Sequence, residues 1–178
     1  AFGPSHGQIE FRGHAGPIGF QGRAQRFSGC LWFDGRPEAS AAALEVPAEA
    51  LTTGIALRDQ HMAAALQSEL YPVIRFEYGA GSLRVYPDLP GAISGESGQG
   101  WMRGSIDGTL ELAGSRRAQG VTIRWRLVGS YLEVAGEATV SLAAYRISAP
   151  RFLWLQVADA VEVHFALRVP LRQSVATM

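Results

Sequence analysis

The stretch VADAVEVHFALRV, Val157–Val169, decides how the rest of the chain is read. Its odd positions are Val157, Asp159, Val161, Val163, Phe165, Leu167 and Val169, and its even positions are Ala158, Ala160, Glu162, His164, Ala166 and Arg168. Side chains of a β-strand point alternately to opposite faces, so this spacing gives one nearly apolar face and one mixed face. The same period recurs upstream. Val121, Ile123, Trp125 and Leu127 alternate with Thr122, Arg124 and Arg126. Leu132-Val134 and Ala138-Val140-Leu142 alternate with Glu133, Glu137, Thr139 and Ser141, and Ile106, Leu110 and Leu112 oppose Asp107, Thr109 and Glu111. Shorter segments are Ile74-Phe76-Tyr78, Leu83-Val85, Ala42-Leu44-Val46 and Ile9-Phe11.

One apolar face per strand argues for antiparallel strands with one side in water. The Gly-rich links EYGAGS (Glu77–Ser82) and LVGSYLE (Leu127–Glu133) read as hairpin turns. About eight strands are legible, and closing them into a barrel removes exposed edges. The expectation is an all-β single domain over residues 1–178: an eight-stranded antiparallel up-and-down β-barrel. An interior of that size is either filled by side chains or holds one small ligand.

One segment breaks the alternation. In LRDQHMAAALQSELYP, Leu57–Pro72, Met62, Leu66 and Leu70 recur every four residues, and Ala63–Ala65 is a helix-favouring run. A short α-helix over about 59–70 follows. Asp59 is expected as its N-cap, because inside the apolar stripe it would be a buried charge. Tyr71, held out of the α region by Pro72, is expected to end it. A helix with one apolar stripe needs an apolar partner, and the available place is one mouth of the barrel.

Composition narrows the function. The chain has 178 residues, 47% hydrophobic and 10% aromatic, enough for a real core. Sixteen basic residues, all Arg, balance sixteen acidic ones, so the basic excess of a nucleic-acid binder is missing. Cys30 is single and is read as a small buried thiol. No run of 18 apolar residues offers a membrane span, so stable membrane insertion is not expected. The four His, at 6, 14, 61 and 164, have no metal-ligand spacing, and no nucleophile elbow, phosphate loop or His-Glu-x-x-His occurs. The expectation is a protein that is not an enzyme.

The motifs resemble the YceI-like family, lipocalin-like proteins associated with polyisoprenoid and other long-chain lipid binding. IEFRGHAGPIGFQGRAQRFSGCLWFD (Ile9–Asp34) resembles its first motif. TTGIALRDQHMAAALQSELYPVIRFE (Thr52–Glu77) resembles its central one: Thr-Gly, Arg-Asp-x-His, a short helix, then Tyr-Pro-x-Ile-x-Phe. GTLELAGSRRAQGVTI (Gly108–Ile123) is similar to its Gly-x-Leu-x-x-x-Gly-x-x-Arg strand pair, and the last strand fits its ending. The family's Arg-x-Asp-Phe-Gly stretch reads YRISAPRF here (Tyr145–Phe152), keeping only Arg146.

The resemblance implies a lipocalin-like barrel with an elongated apolar cavity for an isoprenoid, isoprenoid-quinone or fatty-acyl chain, and a periplasmic or secreted location in bacteria; no signal peptide is visible in these residues. The expected partner is an apolar small-molecule lipid; no cofactor is expected beyond it, and nothing excludes a homodimer. The expected lining is Phe11, Ile74, Phe76, Leu110, Leu112, Ile123, Trp125, Val134, Val140, Leu142, Val163 and Phe165, with Met62 of the helix. Arg58, His61 and His14 are the candidates for a head group at the mouth: Arg donates two parallel hydrogen bonds to a phosphate or carboxylate. The competing expectation is a non-enzymatic interaction module. It would have a solid barrel core and a partner-binding loop in the Pro/Gly/Ser-rich stretch Pro87–Gly100.

Overall fold

The computed structural model describes residues 1–86, 100–149, 151–152 and 155–171. In chain order the strands are β1 (Gly7–Ala15), β2 (Ile18–Ala24), β3 (Ser28–Trp32), β4 (Ala41–Pro47), β5 (Leu51–Thr52), β6 (Val73–Tyr78), β7 (Leu83–Tyr86), β8 (Met102–Leu112), β9 (Ser115–Val128), β10 (Tyr131–Ser141), the short pair β11 (Arg151–Phe152) and β12 (Leu155–Gln156), and β13 (Ala160–Pro170). Among the described residues one α-helix, α1 (Ala56–Ala65), lies between β5 and β6. Most of the stretch expected as a partner-binding loop, 87–99, lies outside the described residues.

The sheet is antiparallel and curls on itself, but it has eleven strands rather than eight and it does not close. Its order is β3-β4-β6-β8-β9-β10-β13-β1-β2-β5, with β7 also beside β8. The strands of this sheet that the alternation did not reveal are β2, β3 and β5. β2 and β3 carry Gly22 and Gly29 at inward positions, which interrupt the apolar alternation, and β5 is two residues long. Closure fails because β5 occupies the free edge of β2, pairing Arg23 with Thr52 and Ala24 with Leu51, so β3 cannot pair there. The seam is stitched at one point by Phe2 and Gly29, which exchange two backbone hydrogen bonds of 2.8 and 2.9 Å.

Two links differ from expectation. LVGSYLE is a hairpin, with Tyr131 opposite Val128. EYGAGS is not: β6 and β7 both pair with the same edge of β8, so Gly79–Ser82 is a break within one long strand. Cys30 is exposed, because the inward parity of β3 belongs to its neighbours Gly29 and Leu31.

The inward faces follow the alternation read from the sequence, except that Leu127 and Val85, read onto apolar faces, are exposed. On β8, Ile106, Leu110 and Leu112 are buried; on β9, Val121, Ile123 and Trp125; on β13, Leu167 and Val169. Outward positions carry ion pairs such as Arg75–Glu45 at 2.6 Å, which at an exposed surface contribute little.

The fully buried side chains of the interior do not form a single group. Buried residues fall into three separate clusters: Phe2, Ile9, Ala24, Phe27, Val46, Leu167 and Val169 along the seam; Leu66, Leu110, Leu112, Val140, Tyr145 and Ile147 under the helix; and Leu83, Ile106, Val121, Ile123, Trp125 and Leu132 towards the other end. Half-buried side chains bridge them: Ile74 and Val163 pack against the first two, Val134 and Phe165 against the first and third, and Phe76 against the second and third. Phe11, Ile74, Phe76, Val134, Val163 and Phe165 point inward yet are only half-buried, as side chains facing an empty space would be. The solid core expected of an interaction module is therefore not what these walls enclose.

Candidate functional site

The three clusters surround a cavity of about 410 Å³, within the range of about 300–1,000 Å³ typical of small-molecule sites. Its walls come from strands on every side of the sheet, and nearly all the atoms facing it are apolar. Fifteen of the sixteen residues expected at the site line it: Phe11, Arg58, His61, Met62, Ile74, Phe76, Leu110, Leu112, Ile123, Trp125, Val134, Val140, Leu142, Val163 and Phe165. His14 does not. On β1 the inward parity belongs to Ile9, Phe11, Gly13 and Ala15, which places His14 on the outer face, exposed.

The mouth lies at the helix. Ile18 and His61 line the cavity and are also exposed, whereas at the opposite end Trp125 and Leu132 are buried. Arg58 lies over the Phe20 ring, 5.6 Å from its centroid, so the helix and β2 meet across the opening. That contact holds the guanidinium beside an apolar entrance while leaving its donors available. Among the described residues Arg58 has no ion-pair partner.

The helix that carries these groups is fixed differently from expectation. It begins at Ala56, with Ile55 in the capping position and no side-chain cap, so Asp59 is not the N-cap. Instead the Asp59 carboxylate reaches back to the preceding strand. Thr52 Oγ1 donates to it at 2.6 Å, and Thr53 donates through both its amide and its hydroxyl at 2.7 Å. The conflict of a charge near the apolar stripe is resolved by these three bonds rather than by the cap. Burial pushes the Asp59 carboxyl up, but the hydrogen bonds from Thr52 and Thr53, with the Arg58 charge, outweigh it and hold the group below the usual carboxylate value.

The helix also ends earlier, at Ala65. Ser68 N–H donates to Ala63 O at 3.0 Å and Gln67 N–H to Ala64 O at 3.1 Å, with Gln67 left-handed at φ 51°, the paired bonds of a Schellman ending. Leu66 stays buried under the helix, but Leu70 falls beyond the turn and is 71% exposed. The four-residue stripe therefore stops at Leu66.

Three polar side chains lie inside the barrel: Tyr78, on the face read with Ile74 and Phe76, and Gln119 and Ser40, which were not anticipated. Gln119 lines the cavity; its amide donates to Gly120 O and Thr139 O at 3.0 and 3.1 Å, and Tyr145 Oη lies 3.4 Å from its Oε1. Its parity with Val121, Ile123 and Trp125 was the signal that placed it inside. Tyr78 and Ser40 meet on the lining at 3.3 Å, and Ser40 donates to Pro37 O at 2.6 Å. Burial pushes the Tyr78 hydroxyl up, partly offset by the bond to Ser40, so it stays neutral. These groups are paired within the wall and add no charge to the cavity.

Comparisons with known proteins agree with this architecture. The family model of the YceI-like domain matches residues 1–169. The crystal structure of Burkholderia cenocepacia BcnA is similar over 92% of this chain and 96% of its own, with a TM-score of 0.71 and 17% identity. A polyisoprenoid binding domain from Saccharophagus degradans, implicated in plant cell wall breakdown, matches with a TM-score of 0.69 and 19% identity, over 93% of this chain and 94% of its own. The Campylobacter jejuni YCEI protein matches with a TM-score of 0.63 and 13% identity, over 85% of each chain. Among curated proteins no sequence matches.

Proposed function

Since the chain belongs to the YceI-like domain family, we propose that it is a non-catalytic carrier that sequesters or transports a long-chain apolar ligand, of polyisoprenoid, isoprenoid-quinone or fatty-acyl type, inside the barrel. The observation that carries this reading is the division of the interior into three clusters around an apolar cavity of about 410 Å³ that opens beside the helix. The polyisoprenoid binding domain of Saccharophagus degradans has the same fold, which supports the ligand class.

The energetics favour a chain. Each buried methylene contributes about 0.8 kcal/mol, so about fifteen of them supply roughly 12 kcal/mol. Less about 4 kcal/mol for lost freedom, this corresponds to micromolar affinity. An apolar wall discriminates little between chains of one length, so selectivity for a head group falls to the mouth, where Arg58 suits an anionic group.

Native mass spectrometry of the protein purified under mild conditions tests the reading. An added mass of several hundred daltons that organic extraction removes supports it, as does a rise in melting temperature on adding a prenyl alcohol or fatty acid. Ligand-free protein whose melting temperature responds to neither would overturn it.

A further inference from the structure

Five phenylalanines that line the cavity share one arrangement: each ring lies against a glycine of the neighbouring strand. Phe165 faces Gly136, Phe11 faces Gly22 and Phe20 faces Gly13, all direct cross-strand partners. Phe76 lies over Gly108, two residues along β8 from its own partner Leu110, and Phe2 lies over Gly29 at the seam. At all five glycines a Cβ would come within 3.0 Å of the ring. None of the five has the left-handed backbone that demands glycine. What these positions require is the absence of a side chain.

Glycine weakens a strand interior, so five such positions carry a cost. The geometry shows what is gained. A phenylalanine facing inward from a strand normally stands away from the sheet, into the lumen. Here the missing Cβ lets the ring lie flat on the wall. Four of the rings come from three parts of the wall, the β1–β2, β6–β8 and β10–β13 pairs, and Phe2 from the seam. We propose that Gly13, Gly22, Gly108 and Gly136 are specificity-determining residues that set the bore by parking these rings, so that the cavity admits a methyl-branched chain as well as an unbranched one. This rests on the carrier reading for its ligand, but the bore itself can be measured without one.

Gly13 is the cleanest position to perturb. The three atoms nearest its Cβ site all belong to the Phe20 ring, at 2.5, 3.0 and 3.2 Å, whereas at Gly136 a Cβ would also press on Thr122 O. Ordinary carbon contact is about 3.5–4.0 Å, so Gly13→Ala must drive the Phe20 ring about 1 Å inward, beside Arg58. Phe20→Leu removes the ring's edge and should undo the effect.

The experiment combines xenon NMR, which reports uptake into apolar voids, with binding of geranylgeraniol and palmitic acid. Gly13→Ala should lower xenon uptake and weaken geranylgeraniol about tenfold, the scale of a misplaced methyl group, with palmitic acid much less affected. Gly13→Ala/Phe20→Leu should restore both readouts, and Phe20→Leu alone should raise xenon uptake. Folded Gly13→Ala with unchanged uptake, equal weakening of both lipids without rescue, or Phe20→Leu with unchanged uptake would each overturn the assignment. If wild type takes up xenon as predicted and binds neither lipid, the carrier reading falls and the bore assignment stands.

Discussion

Asp59 holds the helix at the mouth, and removing its carboxylate should loosen that end of the barrel. Three donors, Thr52 Oγ1, Thr53 N–H and Thr53 Oγ1, converge on it at 2.6–2.7 Å. Hydrogen bonds to a charged group contribute about 1.5–3 kcal/mol each when buried. The site is only half-buried, and water can replace the lost acceptor, so Asp59→Ala should cost about 2 kcal/mol in total, not the sum. For a chain of this size each kcal/mol lowers the melting temperature by about 2–4 °C, which gives a drop of about 4–8 °C. Asp59→Asn keeps the shape and one acceptor and should lose about half as much. The pH dependence gives an independent sign. The folded carboxyl titrates below its unfolded value, which is about 3.9. Its stabilisation is therefore complete above about pH 5 and is lost as pH falls through the lowered folded pKa. The gap between wild type and Asp59→Asn should be widest near neutrality and narrow as pH falls below the unfolded value and through the lowered folded one. Differential scanning calorimetry from pH 7 down to acid measures both effects. A melting temperature for Asp59→Ala indistinguishable from wild type at pH 7, or a gap that persists unchanged in acid, would refute the latch.

Three further outcomes follow from the site. Val134→Phe adds bulk where a packed core would lose about 1–3 kcal/mol; facing an empty lumen, it should leave thermal stability nearly unchanged while weakening lipid binding measured by fluorescence displacement. Arg58→Ala should weaken an anionic-head lipid such as palmitate much more than the matching neutral alcohol in the same assay, and equal weakening would remove Arg58 from head-group recognition. His14→Ala, on the outer face, should leave both affinities unaltered within about twofold, a change of roughly 0.4 kcal/mol.

What could be read from the sequence was parity. The alternation around Phe165, Trp125 and Leu110 placed these side chains on one face before any coordinates, and the cavity wall follows it. The same rule, applied to β1, would have put His14 outside; its place beside a family motif obscured this. The missed strands have a physical cause. Gly22 and Gly29 occupy inward positions where an apolar side chain was sought, because the neighbouring Phe11 and Phe2 fill that space from across the sheet. The helix ends were misplaced because both depend on non-local or unusual backbone. Nothing local announces that Thr52 and Thr53 will take up the Asp59 carboxylate, and Gln67 adopts a left-handed turn that glycine usually supplies. The open seam depends on β5 capturing the β2 edge through two residue pairs, too short a signal to register as a strand.

A crystal soaked with 12-bromododecanol tests the account most directly, since the anomalous signal of bromine locates the end of the alkyl chain. The peak should fall inside the barrel towards its far end, near Ile106, Ile123 and Trp125, with the hydroxyl towards Arg58 and His61. Side chains from opposite walls in contact across the barrel axis, with bromine only on the outer surface, would contradict it.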